Sequence, residues 1–149
     1  MPQPPIFLLA ALLAAAAPAL AQQHASKPPG PPPDPTLHVY RETNDGGVQQ
    51  VVADDVVSHS GVVKIQDSLQ RQATSYAHGN YPDPDGKTPA AAKLRAGASH
   101  IDVTFTKLQR GGMIRFRTHD PALVTALHDW MAATVRYNQK IHPDGGPGS

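Results

Sequence analysis

Eight histidines and three methionines in a chain without cysteine leave imidazole and thioether as the soft ligands available for metal chemistry. His119, His128 and Met131 lie nearest together. Imidazole serves copper and zinc alike, and a thioether suits copper(I). His128 and Met131 are spaced to share one face of a helix. Against this, Met131 falls on an apolar helical stripe, where methionine ordinarily fills the core, and His128 borders that stripe. No H-x-H or H-E-x-x-H pattern occurs. The expectation is therefore no cofactor, with copper or zinc at His119, His128 and Met131 as the alternative.

Two other groupings bear on function. If the hairpin around Arg110 and Gly111 closes symmetrically about them, Phe105 faces Phe116, Thr104 faces Arg117 and Asp102 faces His119. An Asp-His pair is half of an acid-base site, but no Ser or Thr is placed by motif as its nucleophile, so no catalytic set is complete. Thr104, Arg115 and Arg117 alternate with apolar residues and would lie on the face of a sheet that the core does not use. Trp130 falls off the main stripe of its helix and reads as a second contact point, since Trp is enriched among interface hot spots. Gly86-Lys87-Thr88 is not a phosphate loop, because its spacing from Gly79 is wrong and no strand leads into it. Asp83 and Asp85 lack the further oxygens of a calcium loop.

The elements that must position these residues follow from periodicity. Leu37 and Val39 alternate with His38, Tyr40 and Glu42, Asn44-Asp45-Gly46-Gly47 supplies a turn, and extended character resumes from Val48 to Ala53. This is a hairpin with its apolar face on the Leu37 and Val39 side, interrupted by Arg41 and Gln49. Val62, Ile65, Leu69, Ala73 and Tyr76 then mark one stripe of a helix stopped by Gly79. Asn80 to Pro89 is a loop, with Thr88 and Pro89 opening an Ala-rich helix to about Ser99. Ile101, Val103 and Phe105 begin a second hairpin, which turns over Gln109 to Gly112 and returns along Met113 to Thr118. Asp120 caps a helix that starts at Pro121 and carries Leu123, Val124, Leu127, Met131 and Val135.

Strand, turn, paired glycines and trailing helix thus occur twice, over Leu37 to Ala53 and Ile101 to Thr118. A hairpin with one helix cannot bury its own apolar face. The expected solution is an α+β fold: two hairpin-helix units forming a four-stranded antiparallel sheet with the helices on one face.

Residues 1–21 read as an export signal, with an apolar run from Ile6 to Ala17 and cleavage after Ala21. Residues 22–36 are Pro-rich and expected to be a disordered tether, 37–138 the single domain, and 139–149 a disordered tail. The mature product is expected in the periplasm or secreted, with no stable membrane anchor after cleavage. Thirteen Lys and Arg against twelve Asp and Glu, interspersed, give a formal net charge of +1. That balance excludes a nucleic-acid partner, which would show as a basic stripe or patch.

The succession of a Gly-terminated hairpin, D-D-V followed by V-V-K-I-Q-D-S-L-Q, the A-S-H-I-D-V entry and G-G-x-x-x-x-x-T-x-D-P before an amphipathic helix resembles a family of small exported bacterial proteins of unsettled function. Some of its members are labelled aspartate carbamoyltransferase. The resemblance spans residues 37–137 and implies two hairpin-helix units flanking a middle segment, here residues 80–100. It implies no carbamoyl transfer in this chain, where the S-T-R-T phosphate loop is missing. Family members with His after K-I-Q differ from this sequence, which has Asp67-Ser68 there, so no role of that His carries over.

The function expected from these observations is that of an exported binding module, acting on a protein partner or a second copy of itself through the open sheet face or the last helix. A periplasmic copper- or zinc-handling protein is the first alternative. A small hydrolase or transferase is the second.

Overall fold

The computed structural model describes residues 36–141. The signal, nearly all of the tether and most of the tail read from the sequence lie outside those residues. In chain order the elements are β1 (Thr36–Thr43), β2 (Gly46–Ala53), α1 (His59–Ala77), α2 (Pro89–Ala96), a 3-10 turn (Ala98–His100), β3 (Asp102–Leu108), β4 (Gly111–Arg117) and α3 (Pro121–Ile141). The strands form one antiparallel sheet in the order β1-β2-β4-β3. The fold is α+β, as the periodicity indicated, and α3 continues past Asn138 to Ile141.

Each helix begins where the sequence offers a cap. The Ser58 hydroxyl accepts from the Gly61 N–H at 3.2 Å, and the Asp120 carboxylate accepts from the Ala122 N–H at 2.8 Å. Thr88 precedes α2 and Pro89 is its first residue. This helix ends at Ala96, short of Ser99, where the chain tightens into the 3-10 turn and the His100 N–H bonds the Gly97 carbonyl three residues back.

The two hairpins share one register. Thr43 faces Gly46 in the first, and Leu108 faces Gly111, 65 residues further on, in the second. Both turns are therefore two residues long, Asn44-Asp45 and Gln109-Arg110. The glycine pairs open β2 and β4, and each first glycine lies under the neighbouring unit's backbone. A Cβ on Gly46 would collide with the Phe116 carbonyl oxygen, and one on Gly111 with that of Val51. Close approach of the central strands thus explains both glycines.

This geometry corrects the second hairpin as read from sequence. Asp102 faces Arg117, Val103 faces Phe116 and Thr104 faces Arg115, so Asp102 is not paired with His119. Gly111 and Gly112 are drawn out of the turn and into the ladder, and every later residue shifts accordingly. A second correction concerns β1. Leu37 faces Val52 and Val39 faces Gln50 on the uncovered side, where they are 54% and 38% exposed, while Tyr40 faces Gln49 on the helix side. The central strand β2 dictates this parity. Gly47 lies under Met131 of α3 and Gln49 bonds Gln72 of α1, so the cross-strand partners of β2's other set are turned away from the helices.

The helices are exchanged between the units. Leu69 of α1 packs on Gly112 of the second hairpin, and Met131 of α3 packs on Gly47 of the first. Gln66 of α1 donates to the Leu108 carbonyl at 2.9 Å, and the His128 ring sits 3.0 Å from the equivalent carbonyl of Thr43. Even the turns match: Ala53 N–H donates to the Arg110 carbonyl, and Thr118 N–H to that of Asp45. Each helix seals the other copy's ribbon, which is how two units that cannot fold alone share one core.

Residues 80–100 break the symmetry. α2 packs on α3 through Ala90, Ala91 and Leu94. Tyr81 stacks on Tyr76 at 5.4 Å between ring centroids, and Trp130 meets both edge-on at 5.3 and 5.4 Å. Phe116 completes the cluster at 5.8 Å from Trp130. Such contacts add about 0.5–1.5 kcal/mol per pair to the burial of the rings.

Candidate functional site

The residues singled out in the sequence separate into three places. His119 is exposed, beyond the end of β4. His128 is part-buried, with Nε2 2.8 Å from the Gly46 carbonyl and 3.0 Å from that of Thr43. Two acceptors at one nitrogen require that Nε2 carry the proton and donate. Its Nδ1 stands 3.7 Å from a Glu42 carboxylate oxygen. Met131 is buried against Gly47. His128 and Met131 thus meet at the start of β2, and each is occupied in holding α3 on the first hairpin. Among the described residues, no group of three or more His, Asp or Glu is arranged to hold a metal ion.

Thr104, Arg115 and Arg117 do share the uncovered face of the sheet. Asp45, in the turn of the first hairpin, receives both arginines, at 3.1 Å from Arg115 Nη2 and 3.3 Å from Arg117 Nε. The Thr43 hydroxyl donates to the same carboxylate at 2.9 Å. That hydrogen bond, with the Arg115 charge beside it, holds the Asp45 carboxyl below the usual carboxylate range. The strip is a local network linking the two hairpins, in which the buried Arg115 Nε has no hydrogen-bond partner.

Trp130 is not a surface contact. It is 1% exposed, and its indole N–H donates to the Pro82 carbonyl at 2.8 Å. The middle segment supplies a second wall against α3, so this helix has apolar neighbours well beyond the stripe that meets the sheet.

The feature with the makings of a site is a recess between α1 and α3 above β1 and β2, with a volume of ≈ 400 Å³. Tyr40 and Gln49 belong to its strands, Ser68 and Gln72 to α1, Tyr137 and Asn138 to α3. No Asp, Glu, Lys or Arg lines it. Burial raises the Tyr40 phenol above its ordinary value, against the opposing effect of its hydrogen bond with Asn138. Tyr76, also at the wall, is raised further by burial and the nearby tyrosines. The ionisable side chains that line the recess are its tyrosines and His38.

Gln49 is its most unusual residue. Its side chain is buried, its Nε2 donates to Gln72 Oε1 at 2.9 Å, and its Oε1 has no partner. A buried acceptor left unsatisfied costs about 1–3 kcal/mol. In the β2–β4 register Gln49 faces Ile114, and this is the pairing in which equivalent positions of the two units meet. Ile114 is fully buried in the core. One unit thus places isoleucine where the other places an amide. From sequence Gln49 looks like a flaw in an apolar face; aligning the two hairpins is what sets it against Ile114 and exposes the difference.

The chain matches no family model, no curated protein and no solved structure.

Proposed function

We propose that this protein is an exported binding module without chemistry of its own, whose ligand seats in the recess that α1 and α3 form over β1 and β2. The last helix contributes Thr134, Tyr137 and Asn138 to it, with the buried Trp130 part of the wall. The observation that carries this reading is the contrast between Gln49 and Ile114. The symmetric position carries an aliphatic side chain, whereas the Gln49 amide bonds Gln72 of α1 and leaves its own Oε1 without a partner. Sites that break a local rule of folding at some cost to stability are where binding residues are expected. A recess of this volume falls in the range of small-molecule pockets.

The uncovered sheet face is the weaker candidate. Arg115 and Arg117 both pair with the single Asp45 carboxylate, which offsets one of their two charges. Export to the periplasm or beyond belongs to the same proposal and rests on the leader-like residues 1–21. NMR titration of the mature chain with a set of uncharged small molecules tests the site. Shifts clustered at the Gln49 and Gln72 amides and the Trp130 indole are expected. Shifts confined to Thr104, Arg115 and Arg117 would relocate function to the sheet face and refute the reading.

A further inference from the structure

We propose that the uncovered face of the sheet docks a second copy of this chain, packed face to face about a two-fold axis that runs along the strands. The recess lies on the other side of the sheet, so this proposal stands apart from the ligand site.

The face is divided along its strands into an apolar end and a charged end. Leu37 and Val39 of β1 are 54% and 38% exposed. In the ladder, Leu37 shares a row with Val52 and Leu108, and Val39 shares the next with Met113, all three half-buried. Contiguous apolar surface of this kind marks an interaction site more often than scattered residues do. Toward the turn of the first hairpin the rows carry Arg41, Arg115, Arg117 and Asp102 instead.

Two closed arrangements bring a pair of such faces together with their strands aligned. An axis across the strands lays the apolar end of each copy on the charged end of the other, which desolvates arginines against Leu37 and Val39 without giving them a partner. An axis along the strands lays apolar end on apolar end. It also exchanges the edges, so that β1 of each copy lies over β3 of the other and Leu37 meets Leu108 of the second copy.

Charge complementarity selects the same axis. Arg41 has Val48 as its cross-strand neighbour, and Arg117, the neighbour of Asp102, pairs with Asp45. Among the described residues neither Arg41 nor Asp102 forms an ion pair. They stand on opposite edges of the face, one row apart along the strands. Exchange of edges therefore sets Arg41 of each copy beside Asp102 of the other, and the two-fold makes the pairing twice.

Size sets the strength. With strands about 4.8 Å apart and about 3.3 Å per residue, the face measures roughly 19 by 23 Å. Two such faces bury on the order of 1,000 Å², the size of a weak, reversible association and well below that of a permanent dimer. Three arginines against Asp45 and Asp102 leave one excess positive charge on each copy, which weakens it further.

Sedimentation velocity of the mature chain between about 10 μM and 1 mM tests the proposal. Arg41→Asp, Asp102→Arg, the double variant and Leu37→Asp are run beside it. All three positions are exposed, and urea denaturation establishes that each variant is folded. A concentration-dependent shift from monomer to dimer is expected. Each single reversal should weaken it about tenfold by setting like charges together, and the double reversal should restore it to within about threefold. Leu37→Asp should leave a monomer throughout. Three results overturn the proposal: a monomeric chain up to about 1 mM, a dimer that the single reversals or Leu37→Asp leave intact, or a double variant no tighter than the single ones. The first returns the face to solvent or to a partner of another kind.

Discussion

Gln66 and His128 hold equivalent places on the two exchanged helices. Gln66 donates to the carbonyl of Leu108 and His128 to that of Thr43, the last residue of the first strand in each hairpin. A glutamine therefore suffices for this tether in one unit. In the other, His128→Gln is expected to change the free energy of unfolding by less than about 0.5 kcal/mol, whereas His128→Ala loses roughly 1 kcal/mol with the hydrogen bonds. Urea denaturation of both variants measures this. A large loss in His128→Gln would mean that the ring has a task beyond the tether.

The paired glycines separate two kinds of close contact. Gly111→Ala drives a Cβ into the backbone of Val51, in the middle of the sheet, and the central strands must part. A loss of more than about 3 kcal/mol is expected, comparable to the largest effects of single substitutions. Gly47→Ala meets the flexible end of Met131 at 2.6 Å and, less tightly, the backbone oxygen of Arg41 at 3.2 Å; the Met131 clash is the tighter one. That side chain can turn aside, so about 1–2 kcal/mol is expected. Thermal unfolding of the two variants ranks them, and the reverse order would contradict the register.

Three tyrosines give the fold an alkaline limit. Tyr40, Tyr76 and Tyr81 all have their phenol pKa raised by burial. A folded pKa above the unfolded one means that the neutral form is favoured in the native state. Their contribution is full below the unfolded value of about 10 and is lost as pH rises through the folded values. Unfolding should set in above about pH 10 together with tyrosinate absorbance. Ionisation of these tyrosines without unfolding would contradict their burial.

Asp45 acts at the other end of the scale. Its carboxyl pKa is lowered by the Thr43 hydroxyl and by Arg115. A depressed folded pKa contributes stability above the unfolded value of about 3.9 that disappears as pH falls through the folded one. Asp45→Asn should therefore flatten the acid side of the stability profile below about pH 4. An unchanged acid limb would show that the turn does not hold the two arginines.

Much of the architecture was legible because the signals were local. Alternation over Ile101 to Phe105, the Asp120 cap, Pro89 and Pro121 at the first turns, and the repeated glycine pairs each reflect chemistry within a few residues. What failed depended on distant neighbours. The side on which Leu37 and Val39 lie is decided by β2, and β2 is fixed by helices that follow later in the chain. Trp130 looked peripheral because the wall that buries it, Tyr81 to Leu94, has no periodicity that points at α3. The exchange of helices leaves no local trace. The recess was missed for the same reason: Tyr40, Gln49, Gln72 and Asn138 come from four elements, and Gln49 by itself resembles a defect.

The measurement that bears most directly on all of this is the stability of Gln49→Ile, which gives the first hairpin the residue that the second already has. If the amide serves a ligand and not the fold, the unfolding free energy of the variant from urea denaturation stays level or rises, by up to about 1–3 kcal/mol as the unsatisfied acceptor is removed. A fall of more than about 1 kcal/mol would mean that the amide is part of what holds the sheet and helices together, and would leave the recess without its claim to function.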